Sequence, residues 1–505
     1  MQDLKALDGA EVMQKPLVEA FASGAVEGLS GSVEHIPTHL NHVFLSGSRA
    51  YKLKRAVRFP FVDFRTVGRR KAACEAEVSI NTTLGSPFYV GATAVVRRPD
   101  GQLSLGGDGV VEDWVVEMRR FDGRLQFDAM ARSGVLSVES VEAAASAIVD
   151  MHRKAPAGQL GGHPADYRQT IRTLERTEAE AAARLGLEPG LPSPFEALDR
   201  ELARIGPIVE KRRRGGKVRR VHGDLHLRNI CMFEGRPVLF DALEFDDRMA
   251  TIDVLYDLAF LLMDLRRAAL PQHANAAMNR YWDAAAEDED GLAVLPFFMG
   301  LRAAVRMVVA VADGRLEEAQ DYRTLAFGFL SRAEGMLVAI GGLSGAGKSA
   351  VAKEVAHRLP GPAGARLLRS DVLRKRALGV PLHEHAGEDV YAPENRAEVY
   401  RDLAARAAVA RRAGASVVAD ATFRVASARA TLQSTERSFR GFWLDVPVHV
   451  RLARIAGRRT DASDAGALVA LSQSEPGDLG SAWCRVGGRR PVEEIASDIV
   501  REAVK

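Results

Sequence analysis

The segment that most constrains the fold of this chain runs from Met336 to Ser349. Residues 336–340 (MLVAI) are continuously apolar, which is typical of a strand buried on both faces of a parallel sheet. They lead into 342–349 (GLSGAGKS), a complete G-x4-G-K-S sequence at the start of a predicted helix. Such a loop binds nucleotide phosphates through backbone N–H groups, a lysine and a hydroxyl that also holds Mg²⁺. We therefore predict nucleotide contacts from Gly342, Ser344, Gly345, Ala346, Gly347, Lys348 and Ser349, with Ser349 also a metal ligand.

Short apolar strands alternate with helices beyond this loop. The strands are predicted at 365–368, 416–419 and 441–444, with a helix at 395–413. This alternation predicts a parallel α/β domain of about 170 residues. We place its boundary near residue 334, which gives predicted domains at 1–334 and 335–505.

Charged residues follow the carboxyl ends of these predicted strands, where α/β sheets bind ligands. Asp371 is predicted to act as a catalytic base toward an acceptor hydroxyl. Arg374 and Arg424 are predicted to contact the acceptor, and Asp420 is predicted to act near the acceptor or the metal. An arginine-rich helix follows near residue 451, and its charges predict a lid that contacts nucleotide through Arg454 and Arg458.

A second motif lies upstream, at residues 221–229 (VHGDLHLRN). It places an aspartate two residues after a histidine and an asparagine five residues after that aspartate. Kinase-type catalytic loops use this spacing, with the aspartate accepting the proton of the attacking hydroxyl. Asp224 is therefore the predicted base, and Asn229 a predicted metal ligand. Asp241, at the end of a predicted strand, is the second predicted metal ligand.

The nucleotide lysine of this first half must come from the strand that contains Lys52 and Lys54. Both side chains lie on one face of that strand, and Lys52 is preferred. Its helix partner is predicted to be Glu77 or Glu75, with Glu77 preferred. The segment 117–121 is a candidate for backbone contact with adenine, or an ordinary connection between a strand and a helix.

The layout around this motif is a small β-rich part followed by a larger helical part. Residues 1–30 predict a capping helix. Residues 32–121 contain strand-like runs and one helix at 67–84, and residues 136–334 are rich in Ala, Arg and Leu. This order predicts a bilobal, protein-kinase-like α+β domain, followed by the α/β P-loop domain.

Composition narrows the class of protein further. The 505 residues carry a formal net charge of only +3, and the three cysteines are far apart, which argues against a disulfide framework. Without a signal peptide or an apolar span, the chain is predicted to be cytoplasmic, with no membrane partner. The basic run 211–220 has no interleaved aromatic residues, so a solvated loop or a collar for an anionic substrate is favoured over nucleic acid. His383 and His385 lack a further ligand at helical spacing, which disfavours zinc.

At these motifs the chain resembles two families. Residues 33–330 resemble the aminoglycoside phosphotransferase family, which includes choline- and kanamycin-kinase-like enzymes, through 222–229 and 241–246 (DALEFD). The resemblance implies Asp224 as base, Asn229 and Asp241 as Mg²⁺ ligands and Lys52 as the nucleotide lysine. Residues 336–505 resemble P-loop kinases of the gluconate kinase, adenylylsulfate kinase and zeta-toxin type.

The combined prediction is a bifunctional, ATP- and Mg²⁺-dependent phosphotransferase. Each half would transfer the γ-phosphate to a hydroxyl of a small molecule, such as a sugar or amino sugar. Two alternatives remain open: one half is a regulatory nucleotide sensor, or the chain is a toxin-like or RNA-directed kinase. The sequence carries no signal for an oligomeric state.

Overall fold

The computed structural model describes residues 9–59, 62–158, 161–186, 192–244, 246–285, 287–380, 393–456 and 471–504. The chain divides into two compact units. The first contains the residues up to Leu136 together with 147–162 and 216–258, and the second contains 137–146, 163–215 and the residues from Ala259 onward. Arg458, His383 and His385, which carried sequence predictions, lie outside the described residues.

Helices and strands are numbered along the described chain. The helices are α1 (Gly9–Ala22), α2 (Val67–Thr83), α3 (Phe127–Arg132), α4 (Val138–Lys154), α5 (Pro164–Arg184), α6 (Phe195–Arg214), α7 (Asp247–Ala250), α8 (Val254–Arg267), α9 (Pro271–Ala285), α10 (Leu295–Ala312), α11 (Leu316–Leu330), α12 (Lys348–Ala356), α13 (Ser370–Ala377), α14 (Pro393–Arg412), α15 (Ala426–Gln433), α16 (Val448–Ala456) and α17 (Val492–Ala503). The strands are β1 (Val26–Glu27), β2 (Val33–Pro37), β3 (Asn41–Ser46), β4 (Arg49–Lys54), β5 (Arg58–Phe59), β6 (Val62–Asp63), β7 (Tyr89–Arg97), β8 (Leu103–Leu105), β9 (Val110–Arg119), β10 (Val218–Arg220), β11 (Ile230–Phe233), β12 (Arg236–Leu239), β13 (Thr251–Asp253), β14 (Leu337–Gly342), β15 (Arg366–Arg369), β16 (Val417–Asp420), β17 (Arg440–Asp445) and β18 (Trp483–Gly487). Short 3-10 helices form at Gly123–Leu125, Leu227–Asn229 and Glu289–Val294.

The first unit is built on a seven-stranded sheet in the order β1-β8-β7-β9-β4-β3-β2. Its neighbouring strands are antiparallel except for the parallel β1–β8 pair. Leu17 and Phe21 of α1 pack on Phe44 and Leu53 of the sheet, so the predicted capping helix buries its apolar face there. The strand-like runs predicted within residues 32–121 include β3, β4 and β9, and the helix predicted at 67–84 is present as α2.

The segment that carries the kinase-type motif is held by two small antiparallel ladders. β10 pairs with β13, and β11 pairs with β12 in a hairpin that follows the motif directly. The hairpin places residues 227–229 and Asp241 at the same open end, because Ile230 is paired with Leu239.

The second unit contains α5, α6, α9, α10, α11 and the P-loop sheet. The segment Glu289–Ala312, which includes α10, is apolar enough to cross a membrane by length and composition, but 78% of its apolar window is buried inside the protein. It therefore has the burial of a core helix.

The P-loop sheet has five parallel strands in the order β15-β16-β14-β17-β18. The P-loop strand β14 is central and fully buried, as its continuous apolar sequence predicts. A parallel α/β domain after a kinase-like domain confirms the predicted fold class. β18 and α17 were missed, because the β18 sequence WCRVG has polar residues that face solvent at the sheet edge.

The basic run 211–220 is not the solvated loop that its composition predicted. Lys211–Arg214 form the last turn of α6, and Val218–Arg220 form β10. Arg212 is buried and donates to Glu287 at 2.9 Å, and Arg213 pairs with Glu210 at 2.7 Å. Arg212 is thus paired with a glutamate distant in the sequence and Arg213 with one on the same helical turn, pairings that composition alone does not reveal.

A buried polar cluster ties α1 and α2 to the sheet of the first unit. Arg70 Nε donates to Asp113 Oδ1 at 2.7 Å, and Gln14 Nε2 donates to Asp113 Oδ2 at 2.9 Å and to the Lys54 carbonyl at 2.8 Å. Asp113 is only 1% exposed, so its carboxylate depends on these donors.

Replacing Arg70 tests this dependence. We expect Arg70→Met to destabilise the first unit by about 3–5 kcal/mol, because it leaves a buried carboxylate without its cation. The matched change Arg97→Met removes an exposed pair with Glu112 and should cost about 0–1 kcal/mol. Amide hydrogen-exchange protection of β9 is the measurement, and equal protection in both variants would contradict the prediction.

Candidate functional site

The turn at Gly223 brings the polar side chains of the kinase-type motif together. Gly223 adopts φ +81°, and a Cβ there would lie 3.1 Å from the Ala250 Cβ, so the position favours glycine. Asn229 Nδ2 donates to the Asp224 carbonyl at 2.9 Å and to Asp224 Oδ2 at 3.2 Å. The Asp224 side chain is 38% exposed, which leaves its carboxylate accessible to an acceptor.

A buried aspartate of α8 holds the backbone of this turn. Asp257 Oδ1 accepts from Gly223 N at 2.9 Å, and Asp257 Oδ2 accepts from His222 N at 3.3 Å. His152 Nε2 lies 3.1 Å from the same Oδ2 atom. The His222 ring lies 2.9 Å from the Phe240 carbonyl, and burial lowers the pKa of His222. Sequence reasoning missed Asp257; the signal for it was an acidic residue inside an otherwise apolar helix.

Two lysines of β4 share one glutamate of α2. Lys52 Nζ donates to Glu77 Oε1 at 2.7 Å, and Lys54 Nζ donates to Glu77 Oε2 at 2.5 Å. Lys52 also donates to Asp241 Oδ1 at 2.6 Å, whereas Lys54 donates to Glu244. The structure thus brings together Lys52, Glu77 and the predicted metal ligand Asp241.

The alternative helix partner, Glu75, has a different environment. Its side chain is 55% exposed and pairs with Lys71 on the same helix at 3.7 Å. The Glu77 side chain is fully buried. Glu77, and not Glu75, therefore contacts the strand lysines.

Burial and charge act in opposite directions on the pKa values of this lysine cluster. Burial disfavours the charged forms, but Lys52 and Lys54 outweigh it at Glu77 and lower the pKa of Glu77 to about 2. Burial likewise opposes the charge of Lys52, yet Asp241 and Glu77 raise its pKa above the ordinary value. At Glu244 burial dominates, and the pKa of Glu244 is raised.

Asp241 is held in an unusual backbone conformation. Its φ is +63°, a left-handed value that aspartate tolerates better than most residues. The Tyr89 hydroxyl accepts a hydrogen bond from Asp241 N at 3.1 Å, and Asn81 Oδ1 accepts from Ala242 N at 2.9 Å. These bonds, from β7 and α2, aim the Asp241 carboxylate at Lys52.

The predicted metal ligands of the first half supply hard oxygen atoms. Asn229 offers an amide oxygen, since its Nδ2 is the atom that donates to Asp224, and Asp241 offers a carboxylate. Within the described ranges, no group of three or more His, Cys, Asp or Glu side chains is arranged to hold a metal. The pair fits Mg²⁺ only where phosphate and water oxygens complete the coordination shell.

The second site is the loop between β14 and α12. Gly342, Gly345 and Gly347 have φ values of +147°, +82° and +90°. A Cβ at Gly345 would lie 2.6 Å from the Arg451 carbonyl, so the loop and α16 approach closely only with glycine there. The first N–H groups of α12 lack acceptors within the helix and suit an anion. Lys348 Nζ lies 3.3 Å from the Leu343 carbonyl.

Ser349 and Asp420 form a direct pair at this loop. Ser349 Oγ donates to Asp420 Oδ2 at 2.7 Å, and β16, which ends in Asp420, is hydrogen-bonded to the P-loop strand β14. Burial raises the pKa of Asp420, although Lys348 and Arg369 oppose this. Asp420 was predicted to act near the acceptor or the metal, and in the structure its carboxylate contacts Ser349, the predicted metal ligand.

The arginines of α16 contact the outside of the phosphate loop. Arg451 donates to the Ser344 carbonyl at 3.2 Å, and Arg454 donates to the carbonyls of Ala346 at 3.0 Å and Gly488 at 2.9 Å. Gln473 makes a reciprocal pair with Ser344: it accepts from Ser344 N at 2.8 Å and donates to Ser344 Oγ at 2.9 Å. These side chains support the loop backbone. Sequence reasoning missed Gln473, which no motif marks.

The predicted acceptor residues follow β15 and β16. Asp371 Oδ1 accepts from Arg374 Nη1 at 2.6 Å on α13. Arg424 is partly exposed, and its carbonyl accepts from the buried Arg429 at 3.1 Å. Tyr400, which the sequence did not single out, lies 2.9 Å from the Thr422 hydroxyl. Side chains from α13, α14 and the β16–α15 connection thus lie near one another at the carboxyl edge of the sheet.

Each of the two parts of the chain matches a protein-family model. Residues 114–295 match the model described as "Phosphotransferase enzyme family", and residues 337–474 match the model described as "AAA domain". The first range contains Asp224, Asn229 and Asp241, and the second contains the P-loop and Asp420.

Relatives and solved structures are similar to parts of this chain. An uncharacterized protein of Mycobacterium tuberculosis is 28% identical over 458 residues, covering 86% of this chain and 88% of that protein. A gluconokinase from Sinorhizobium meliloti covers 34% of this chain and 94% of its own length, with 19% identity and a TM-score of 0.26. A choline/ethanolamine kinase family protein from Mesorhizobium loti covers 61% and 94%, with 14% identity and a TM-score of 0.36.

The phosphotransferase family model covers the range that holds Asp224, Asn229 and Asp241, so phosphotransfer is the class of activity that this match indicates. The chain therefore contains one stretch that matches a phosphotransferase family model and one P-loop stretch that matches an AAA-domain model, and these matches indicate a phosphotransferase.

Proposed function

We propose that the chain is a bifunctional kinase with two separate sites, each transferring the γ-phosphate of ATP to a hydroxyl group of a small molecule. The observation that carries this proposal is the presence of two complete sets of side chains for the same chemistry. The first set joins Asp224 to Asn229 and Lys52 to Glu77 and Asp241. The second joins the P-loop to Asp420 through Ser349.

In the first site, Asp224 accepts the proton of the attacking hydroxyl. Its carboxylate is exposed enough to meet an acceptor, and Asn229 orients it through a hydrogen bond. Lys52 binds phosphate oxygens, aimed by Glu77. Asn229 and Asp241 are the residues that would hold Mg²⁺, which when bound neutralises phosphate charge.

In the second site, Lys348 and the loop N–H groups bind the phosphates. Ser349 and Asp420 would hold Mg²⁺, since the serine hydroxyl already contacts the aspartate. Asp371 serves as the base toward the acceptor, and Arg374 keeps its carboxylate in place. Arg451 and Arg454 maintain the shape of the loop by bonding its carbonyls.

Removing one group from each site tests the two-site proposal. We expect Asp224→Asn to lower acceptor-dependent ADP release by the first site at least about a thousandfold, since it removes the base but keeps the size of the side chain. Lys348→Ala should do the same at the second site. Screening a library of hydroxylated metabolites with the full-length chain and both variants measures each activity separately.

The matched controls are Asp247→Asn, an exposed aspartate, and Lys353→Ala, a half-exposed lysine on the same helix as Lys348. Both should retain full activity. If Lys348→Ala or Asp224→Asn left every activity unchanged, only one half would be catalytic and the two-site proposal would fail.

A second test separates the roles of the paired lysines. Lys52 contacts the predicted metal ligand Asp241, whereas Lys54 contacts Glu244. We therefore expect Lys52→Met to lower kcat/KM for ATP at the first site about a hundredfold or more. Lys54→Met should reduce stability but keep kcat/KM within about tenfold. If Lys54→Met lowered kcat/KM for ATP more than Lys52→Met, Lys54 and not Lys52 would be the nucleotide lysine.

The lowered pKa of Glu77 makes a prediction about acid stability. Because the folded-state pKa is about 2 and the ordinary value is 4.5, ionised Glu77 stabilises the fold fully above pH 4.5. This contribution is lost as the pH falls from 4.5 toward 2. The stability difference between the unmodified chain and Glu77→Gln, measured by urea unfolding, should therefore be constant above pH 5 and shrink below 4.5. A stability difference between the two proteins that grows on acidification would contradict the lowered pKa of Glu77.

A further inference from the structure

The edge strand of the P-loop sheet is covered by a helix that precedes the P-loop domain in sequence. β15 is hydrogen-bonded to β16 on one side only. On its other side, Asn279 of α9 accepts from Leu367 N at 2.7 Å and donates to the Ala365 carbonyl at 3.1 Å. Asn275, one turn earlier, donates to the carbonyls of Ala363 at 2.8 Å and Ala365 at 2.9 Å. Two asparagine side chains thus satisfy backbone groups that an edge strand ordinarily leaves to water or to another chain.

An arginine of the same strand is buried in this contact. Arg366 is 1% exposed. Its guanidinium donates to Glu289 at 3.0 Å, to Asp283 at 2.7 Å and to Asn279 Oδ1 at 3.0 Å. Within the described part of the P-loop domain, Arg406 of α14 adds a second positive charge 3.6 Å from Glu289. Asn275, Asn279 and Asp283 are four residues apart on α9 and so lie on one face of it.

These contacts belong to the fold of the P-loop domain itself. Without α9 and the 3-10 helix at 289–294, Arg366 would lose its carboxylate partners and β15 would expose unpaired backbone groups. A buried arginine is stable only with such partners. The segment 332–335 that joins the two sequence-defined parts is exposed at 332–334, so it is not what holds them together.

We propose that this face of α9, together with Glu289, is an obligatory docking surface for the P-loop domain, joined through Arg366. The P-loop domain and the helices of residues 259–334 then form one folded body that crosses the boundary predicted near residue 334. On the function proposed above, this surface also positions the second site, because α13 with Asp371 begins directly after β15.

Cutting the connection without removing either part tests this proposal. A protease recognition sequence is inserted between Ala333 and Glu334 of the full chain, and the purified protein is cleaved. We expect the two fragments to stay together on a size-exclusion column at micromolar concentration. Arg366→Met should weaken their association about a hundredfold or more, so that the fragments elute apart. Asn279→Ala and Asp283→Asn, which each remove one partner, should weaken it by smaller factors.

Arg358→Met is the matched control, because Arg358 contacts Glu354 and Ser497 inside the P-loop domain. It should leave association unchanged. The fragment that begins at Glu334 contains Trp443 and Trp483 as its only tryptophans, so its fluorescence reports whether it stays folded after release. If Arg366→Met prevents folding before cleavage, the association of the fragments in the Asn279→Ala and Asp283→Asn variants tests the proposal instead.

Separation of the unmodified fragments, or equal association of the Arg366, Asn279 and Asp283 variants, would overturn the proposal. No nucleotide or acceptor enters these measurements. A failure of the two-site kinase proposal would therefore leave the docking result unaffected, and the reverse also holds.

Discussion

A charge withdrawn from water needs an opposite charge within a few ångströms, and both units of this protein are arranged around that requirement. In the first unit, one buried glutamate, Glu77, balances Lys52 and Lys54, and in the second, Asp283 and Glu289 balance Arg366. Each cluster joins elements that are distant in sequence. Because the loss of any member leaves its partner uncompensated, these clusters define which helices must accompany which strands.

The sequence predicted those parts of the two sites whose functional residues lie close together in one contiguous motif. The P-loop with its preceding strand is one contiguous segment, and the 222–229 motif is another. Within each segment, local backbone geometry alone brings the functional residues together. Asp257 and Gln473 reach the sites from other elements, and no sequence motif marks either residue. The choice between Glu75 and Glu77 likewise depended on which face of α2 meets the sheet, which became visible only in the packed structure.

Contacts between residues distant in the sequence also determine the environments of the basic run 211–220 and of Asp420. Arg212 looks like a solvent-exposed charge until Glu287 is brought against it by the fold. Asp420 ends a strand whose pairing with the P-loop strand brings its carboxylate to Ser349, a contact that the local sequence does not show. Composition and strand order therefore predicted the architecture, whereas long-range pairing determined the environment of individual side chains.

The asparagine-capped strand β15 has a consequence for how such a chain can evolve. Once a helix of the first part satisfies the edge of the P-loop sheet, a gene that encoded the P-loop part alone would produce an open strand edge and an exposed Arg366. Returning to two separate proteins would require compensating substitutions on both sides of the contact before either product was soluble. The contact between α9 and β15 would therefore favour keeping the two parts in one chain, even if their reactions were unrelated.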